Sequence, residues 1–177
     1  MIGVLVSGEG TNLQALLDAG LPVAAVASNR AGCRALDRAE RAGVEAEAFP
    51  LDEFADREQR DAIMANWLQE HGVRLVVCAG YMHLLTAPFL ERFPGRVVNV
   101  HPSLLPEFPG ARAIDDALAA GVETTGVTVH LVDDGLDTGP VVRQVPVPVE
   151  PRDTLVERIH AVEHRLLPEV VRELCAR

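Results

Sequence analysis

A chain of 177 residues, 48% hydrophobic and 24% charged, can bury one core of ordinary size, and its formal net charge of -10 excludes the basic footprint that broad nucleic-acid or membrane-surface binding needs. All 16 basic residues are arginine, so no lysine exists for a Schiff base or a phosphate-loop lysine. The three cysteines, Cys33, Cys78 and Cys175, form no CxxC pair, which points to reduced thiols in the cytoplasm and to no metal centre.

The N-terminal residues carry no basic segment ahead of their apolar run, and no stretch of roughly 18 apolar residues occurs, so neither a signal peptide nor a membrane span is expected. Ile2 to Val6 is a short apolar run that ends at Ser7-Gly8 and reads as a buried strand. Thr11 opens a helical pattern with Leu13, Leu16 and Leu17 on one side. Pro22 to Ser28 is a second apolar run, and Arg30 to Ala42 a helix closed by Gly43. Val44 to Phe49 is a third strand, Phe54 to His71 an amphipathic helix, and Val73 to Ala79 a fourth strand ending at Gly80. This alternation predicts a parallel sheet with helices on both faces, doubly wound through right-handed crossovers. Ligands of such sheets bind beyond the carboxyl ends of the strands.

The second half changes character. Arg96 to Val100 is a short strand running into His101-Pro102. Residues 101–110 hold Pro102, Pro106 and Pro109 and predict a rigid, non-helical loop. Ala111 to Ala120 is a helix closed by Gly121. Thr125 to Val132 alternates like a half-exposed strand, Val141 to Val149 pairs with it as an antiparallel hairpin, and Thr154 to Cys175 is the last helix. The expected fold is one α/β, Rossmann-like, doubly wound domain over residues 1–177, mostly parallel, with an antiparallel C-terminal extension.

The loop Ser7-Gly8-Glu9-Gly10-Thr11-Asn12 joins a strand to a helix. Its glycines let the backbone approach a ligand, and the helix start offers free N–H groups to an anion. A dinucleotide fingerprint would need a third glycine where Leu13 stands, and an acidic residue after the second strand, where the chain reads Ser28-Asn29-Arg30. A mononucleotide or sugar phosphate fits better. As a purely structural turn, the same loop would use Thr11 as its helix cap.

Asn99 and His101 are two apart at a strand end, so extended backbone points both to one face. An amide and an imidazole side by side can hold one developing oxyanion. Asp137, in the turn Asp133-Asp134-Gly135-Leu136-Asp137-Thr138-Gly139-Pro140, can orient that imidazole or move a proton. Singly, each has an ordinary structural explanation in a turn or loop. The argument rests on their coincidence with the glycine loop.

Asn99-Val100-His101-Pro102-Ser103-Leu104-Leu105-Pro106 with Phe108-Pro109-Gly110, and Gly126-Val127-Thr128-Val129-His130 through Leu136-Asp137-Thr138-Gly139-Pro140, resemble the two signatures of the folate-dependent formyltransferases. The first loop, through Asn12-Leu13-Gln14-Ala15, resembles the branch acting on glycinamide ribonucleotide in purine synthesis. The resemblance implies formyl transfer from formyltetrahydrofolate to the amine of that substrate, with Asn99, His101 and Asp137 as the catalytic set and no metal. It implies that Gly10, Thr11 and Asn12 hold the phosphate and that Glu163 contacts the ribose. It also implies that Met82, His83, Leu84, Leu85 and the segment Val132, Asp133, Asp134, Gly135 and Leu136 hold the folate. Residues 1–100 would then form a phosphate-binding half and residues 101–177 a folate and catalytic half, in a monomer or homodimer. Glu9 departs from the neutral residue common in this loop, and His83 and Arg112 stand at variable positions. Two alternatives are carried: a formyltetrahydrofolate deformylase, whose usual N-terminal regulatory domain is not expected in a chain opening on the catalytic strand, and a non-catalytic nucleotide- or folate-binding module, which would need none of the three catalytic residues.

Overall fold

β1, Ile2–Val6, divides its side chains between two apolar layers: Ile2, Val4 and Val6 face one and Leu5 the other. A strand buried on both faces must be covered on both, and the remaining chain supplies that cover. The computed structural model describes residues 1–176; Arg177, the last residue of the expected domain, lies outside the described residues. The elements that follow are α1 (Thr11–Asp18), β2 (Val23–Ser28), α2 (Arg34–Arg41), β3 (Glu45–Ala48), α3 (Arg57–Glu70) and β4 (Leu75–Cys78). Then come α4 (Ala87–Leu90), β5 (Val97–His101), α5 (Ala113–Ala120), β6 (Thr124–Leu131), β7 (Val141–Pro148) and α6 (Leu155–Cys175).

The seven strands lie in the order β3-β2-β1-β4-β5-β6-β7. The pairs from β3 to β5 are parallel, and β5–β6 and β6–β7 are antiparallel. This is the expected doubly wound α/β domain with its antiparallel extension. On one face Leu13 and Leu16 of α1, Ala35 and Ala39 of α2, and Leu155, Ile159, Leu166 and Leu167 of α6 pack on the sheet. On the other, Met64, Ala65 and Leu68 of α3 and Phe89 of α4 do so. Each fully buried Leu, Ile or Phe contributes roughly 1.5–3 kcal/mol of transfer free energy, so the sheet is held from both sides.

The chain leaves β1 towards β2 and returns on its other side at β4, which makes the crevice beyond these two strands the topological switch point. The loops that follow β1 and β4 therefore face each other across that crevice.

Four local expectations shift. The helix expected from Arg30 starts at Arg34, because Cys33 caps it from extended backbone. The helix expected from Phe54 starts at Arg57, where the Asp56 carboxylate accepts from Gln59 N at 2.8 Å; Leu51–Glu53 is a separate 3-10 turn. α4 was not expected; it is four residues long and starts next to Pro88. β6 is not half-exposed, since Thr125 to His130 are all buried. The cause is the proline loop: Thr128 Oγ1 donates to Ser103 O at 2.7 Å, and Leu105 N donates to Thr128 Oγ1 at 3.1 Å. Thr128 thus bonds to the loop rather than to water, and His130 bonds to Leu131 O. A Cβ on Gly126 would come within 2.5 Å of Leu104, so only glycine admits the loop so close.

Candidate active site

A cleft of about 600 Å³ opens at the switch point. It draws on both halves of the chain: the loops after β1, β4 and β5, the β6–β7 loop, and two residues of α6.

At one end lies the glycine loop. Gly10, not Thr11, is the cap residue of α1; it adopts φ 73°, and a Cβ there would meet Ala35 at 2.7 Å. The loop can take this shape only with glycine at that position, and Thr11 is left as the first residue of the helix, on the cleft wall. Asn12 Nδ2 donates to Glu163 Oε2 at 3.1 Å, joining α1 to α6, while Asn12 Oδ1 is buried without a partner. Glu163 is 6% exposed. Burial pushes its carboxyl above the ordinary range, against the Asn12 amide and nearby His160. Glu9 lies on the rim of the cleft and pairs with Arg34 at 3.0 Å, both side chains exposed.

The floor is built by β5. Val98 and Val100 point into the core, so Asn99 and His101 share the opposite face, as their spacing predicts. The β6–β7 loop leaves the sheet beside Val97, where Val132 N donates to Val97 O at 2.8 Å, and folds back to bring Asp137 to the same place. Asp137 Oδ2 accepts from Gly110 N at 2.8 Å and lies 3.4 Å from His101 Nδ1; Oδ1 lies 3.4 Å from Asn99 Nδ2. His101 Nε2 faces Phe108 O at 2.8 Å. His101 thus has an oxygen acceptor facing each ring nitrogen. Burial pushes the Asp137 carboxyl up, but the contacts from His130 and Gly110 and the two imidazoles outweigh it and hold it below the ordinary carboxylate value. Asp137 and Phe108 both have positive φ, 54° and 52°, so this corner is built on backbone that the surrounding contacts must hold.

His130 completes the corner and was not singled out from the sequence. It is 2% exposed and sits opposite Asn99 in the antiparallel register. Its Nδ1 donates to Leu131 O at 2.9 Å, and its Nε2 lies between the Asn99 amide at 3.2 Å and Asp137 Oδ1 at 3.5 Å. Cys78 lies beneath; burial, then the Asp137 charge, pushes its thiol up to about 12, which keeps it protonated and non-nucleophilic.

At the far end Met82, Leu84 and Leu136 are 63%, 47% and 49% exposed and line the mouth, with Leu85 buried behind them. His83, Val132, Asp133 and Gly135 also face the cleft, and Asp134 does not. Asp133 instead braces its own turn, accepting from Gly135 N and Thr138 Oγ1. Arg112 lies outside the cleft, paired with Asp116. Among the described residues no cluster of His, Cys, Asp and Glu is arranged to hold a metal, and no helix is long and apolar enough to cross a membrane.

The family model for formyl transferases matches residues 1–171. The chain belongs to the formyl transferase family.

Within that family it is 45% identical to the phosphoribosylglycinamide formyltransferase of Mycobacterium tuberculosis (strain ATCC 25618 / H37Rv), covering 97% of this chain and 83% of that protein. It is 42% identical to the trifunctional purine biosynthetic protein adenosine-3 of Drosophila melanogaster over 96% of this chain, which spans only 13% of that longer protein. The solved glycinamide ribonucleotide transformylase 1 of Symbiobacterium toebii superposes with a TM-score of 0.94 at 49% identity, over 97% of this chain and 85% of that one. The formyl transferase family match covers both the glycine loop and the Asn99–His101–Asp137 corner.

Proposed function

We propose that this chain transfers the formyl group of formyltetrahydrofolate to the amine of glycinamide ribonucleotide, a step of purine synthesis. The observation that carries the reading is the placement of Asn99, His101 and Asp137, with Asp137 3.4 Å from each of the other two, between a glycine-loop end and an apolar mouth. The names of the relatives point the same way.

The acceptor's phosphate would lie on the N–H groups of Gly10, Thr11 and Asn12 at the start of α1. Its ribose hydroxyls are donors, and Glu163 with the unpartnered Asn12 Oδ1 offers acceptors beside them. The folate would lie on Met82, Leu84, Leu85 and Leu136, with His83, Val132, Asp133 and Gly135 around it; Asp134 serves only through its turn. The acceptor end takes residues from both halves of the chain, and so does the donor end.

The amine nitrogen attacks the formyl carbon, and the carbonyl electron pair moves to oxygen. The 3.4 Å contacts that Asp137 makes with Asn99 and His101 are long for hydrogen bonds, so a substrate oxygen can replace them. Asn99 Nδ2 and His101 then donate to the oxyanion. Asp137, kept ionised, takes the amine proton directly or through a water. The carbon–nitrogen bond to the folate breaks as the oxyanion collapses, and the folate nitrogen recovers a proton.

An absorbance assay with formyltetrahydrofolate, run with and without glycinamide ribonucleotide, tests this. Product only in the presence of the amine is the expected result. Equal turnover without it assigns the chain to hydrolysis, and no turnover with either assigns it to binding alone.

A further inference from the structure

Arg60 is the largest fully buried side chain of the protein, at 0% exposure, and formyl transfer as described above gives it no task. Its Nε and NH2 donate to Asp61 Oδ1 at 2.9 and 2.6 Å, and Asp61 Oδ2 accepts from Thr86 N and Oγ1 at 2.8 and 2.9 Å. Its third nitrogen, NH1, does not return to the carboxylate but reaches His83 Nδ1 at 2.7 Å. A buried ion pair needs every remaining donor and acceptor satisfied, and here the outlet is a side chain of the cleft wall.

We propose that Arg60 is a positioning residue that holds His83 as a neutral imidazole with its proton on Nε2 and, through Asn29 and Ser7, ties together the two loops that face each other across the cleft. A guanidinium only donates, so His83 Nδ1 accepts, and the one proton of the neutral ring sits on Nε2. That nitrogen lies 3.2 Å from Asn29 Nδ2, and Ser7 Oγ donates to Asn29 Oδ1 at 2.5 Å. Nδ2 and a protonated Nε2 would meet donor to donor, so the proposed chain includes a turn of the Asn29 amide that gives its carbonyl oxygen to His83 and its NH2 to Ser7. Ser7 Oγ also accepts from Met82 N at 2.9 Å. With the amide turned, both of its lone pairs are used and its own hydrogen is left for the cleft, whose wall it shares. The directed chain runs Arg60, His83, Asn29, Ser7. It starts on α3, crosses the loop after β4 and ends on the loop after β1.

A second proton on Nδ1 would face the guanidinium, donor against donor and cation against cation. The other groups around the ring are Arg57 and Asp61 of α3, Tyr81, whose ring centre is 6.0 Å away on the same loop, and Asn29, the residue after β2. Burial, then Arg60 and Arg57, hold the imidazole below its ordinary value, and Asp61 opposes them. The His83 ring next to Met82 and Leu84 therefore stays uncharged, as suits the flat, neutral ring system of a folate, while Arg57 brings a cation to the same loop through its bond to Leu84 O.

The ring's state is read on the free protein and stands apart from the assignment of substrates; the kinetic consequence rests on the folate reading above. Nitrogen-15 NMR of labelled protein, with His83 assigned by loss of its signals in His83→Gln, should show a protonated Nε2 and a bare Nδ1 from about pH 8 down to about pH 5, past the value near 6.5 where free imidazole charges. In the double variant Arg60→Met, Asp61→Asn, which leaves no lone buried charge and keeps an acceptor for Thr86, the ring should show mixed tautomers and take up its second proton at higher pH than in the unaltered protein, still below its ordinary value because burial and Arg57 remain. The donor's KM should then rise roughly tenfold while kcat holds, and it should climb further as pH falls. An Nδ1-protonated or ordinarily titrating His83 in the unaltered protein overturns the proposal, even if the variant does not fold. So does a folded double variant with unchanged ring signals. Correct ring behaviour with no change in the donor's KM removes Arg60 from substrate positioning while leaving its hold on His83 intact.

Discussion

The floor of the cleft and its mouth are built on opposite terms. On the floor, Asn99, His101, His130 and Asp137 form a nearly dry corner, and each is held by neighbours before any ligand arrives. At the mouth, Met82, Leu84 and Leu136 stand in water with nothing packed over them. Groups that stabilise charge gain from being fixed in advance in a water-poor site. Apolar contacts gain only on burial, so they can wait for the ligand to cover them. The contrast places rate on the floor and affinity at the mouth, and substitutions can be chosen to break that division.

Asp137→Asn should have the largest effect. Asparagine tolerates the positive φ of 54° that this position requires, so the backbone should hold while the charge is lost. Stopped-flow or steady-state assays should show kcat lower by about two to four orders of magnitude. Donor affinity, measured by fluorescence titration, should stay nearly constant. A change in affinity with kcat retained would reverse the assignment of floor and mouth. With wild-type Asp137 held below the ordinary carboxylate value, its charge is present at neutral pH. The stability it contributes should be complete above the ordinary carboxylate value and be lost as pH falls from that value through its lowered one.

The mirror experiment is Leu84→Ser. Removing one half-exposed apolar side chain that a folate would cover should raise the donor's KM roughly tenfold and leave kcat within about twofold. A fall in kcat of a hundredfold would mean that the mouth also orders the floor.

Much of the floor could be read from the chain alone, because it depends on local geometry. Asn99 and His101 share a face by the period of a strand, and at the acceptor end Gly10 marks a close approach to Ala35 by residue type. His130 could not be read that way. Its alternation looked like that of an exposed strand, and only the antiparallel register of β6 on β5 sets it opposite Asn99. The burial of β6 was missed for the same reason, since a proline loop distant in sequence covers its polar side. Arg60 and Asp61 are adjacent charges on a helix readable only as amphipathic, and nothing in their spacing marks them as buried. Their burial follows from where α3 meets the loop after β4. What stayed hidden in each case was a long-range pairing, which one-dimensional periodicity does not carry.

Glu163→Gln tests the acceptor end, where a buried carboxylate lies between the two regimes. Its folded value lies above its unfolded one, so it weakens the fold as pH rises from the ordinary carboxylate range through that raised value. Glutamine removes this loss while still accepting from Asn12. Thermal denaturation at neutral pH should show Tm higher by a few degrees, and the gain should vanish at acidic pH. The KM of the acceptor should rise, since an amide is a weaker acceptor for a ribose hydroxyl. A Tm that falls at neutral pH would show that the carboxylate stabilises the fold rather than serving the ligand.

Glu9→Ala should do least. A carboxylate in a phosphate loop looks like a direct penalty on binding, and on sequence alone it is the most discordant residue of the site. In the structure it faces Arg34 at 3.0 Å, and both side chains are largely in water. Water and salt screen a charge so placed, and its partner cancels much of what remains. Removing Glu9 also frees Arg34, so the local charge shifts by one unit in favour of an anion. The acceptor's KM should fall by no more than about threefold at low salt, and the difference should fade as ionic strength rises past about 0.15 M. A tenfold change that survives high salt would place Glu9 against the phosphate itself. The acceptor end would then owe its shape to the bound ligand, as the mouth does, and the glycine loop would belong with the yielding part of the cleft.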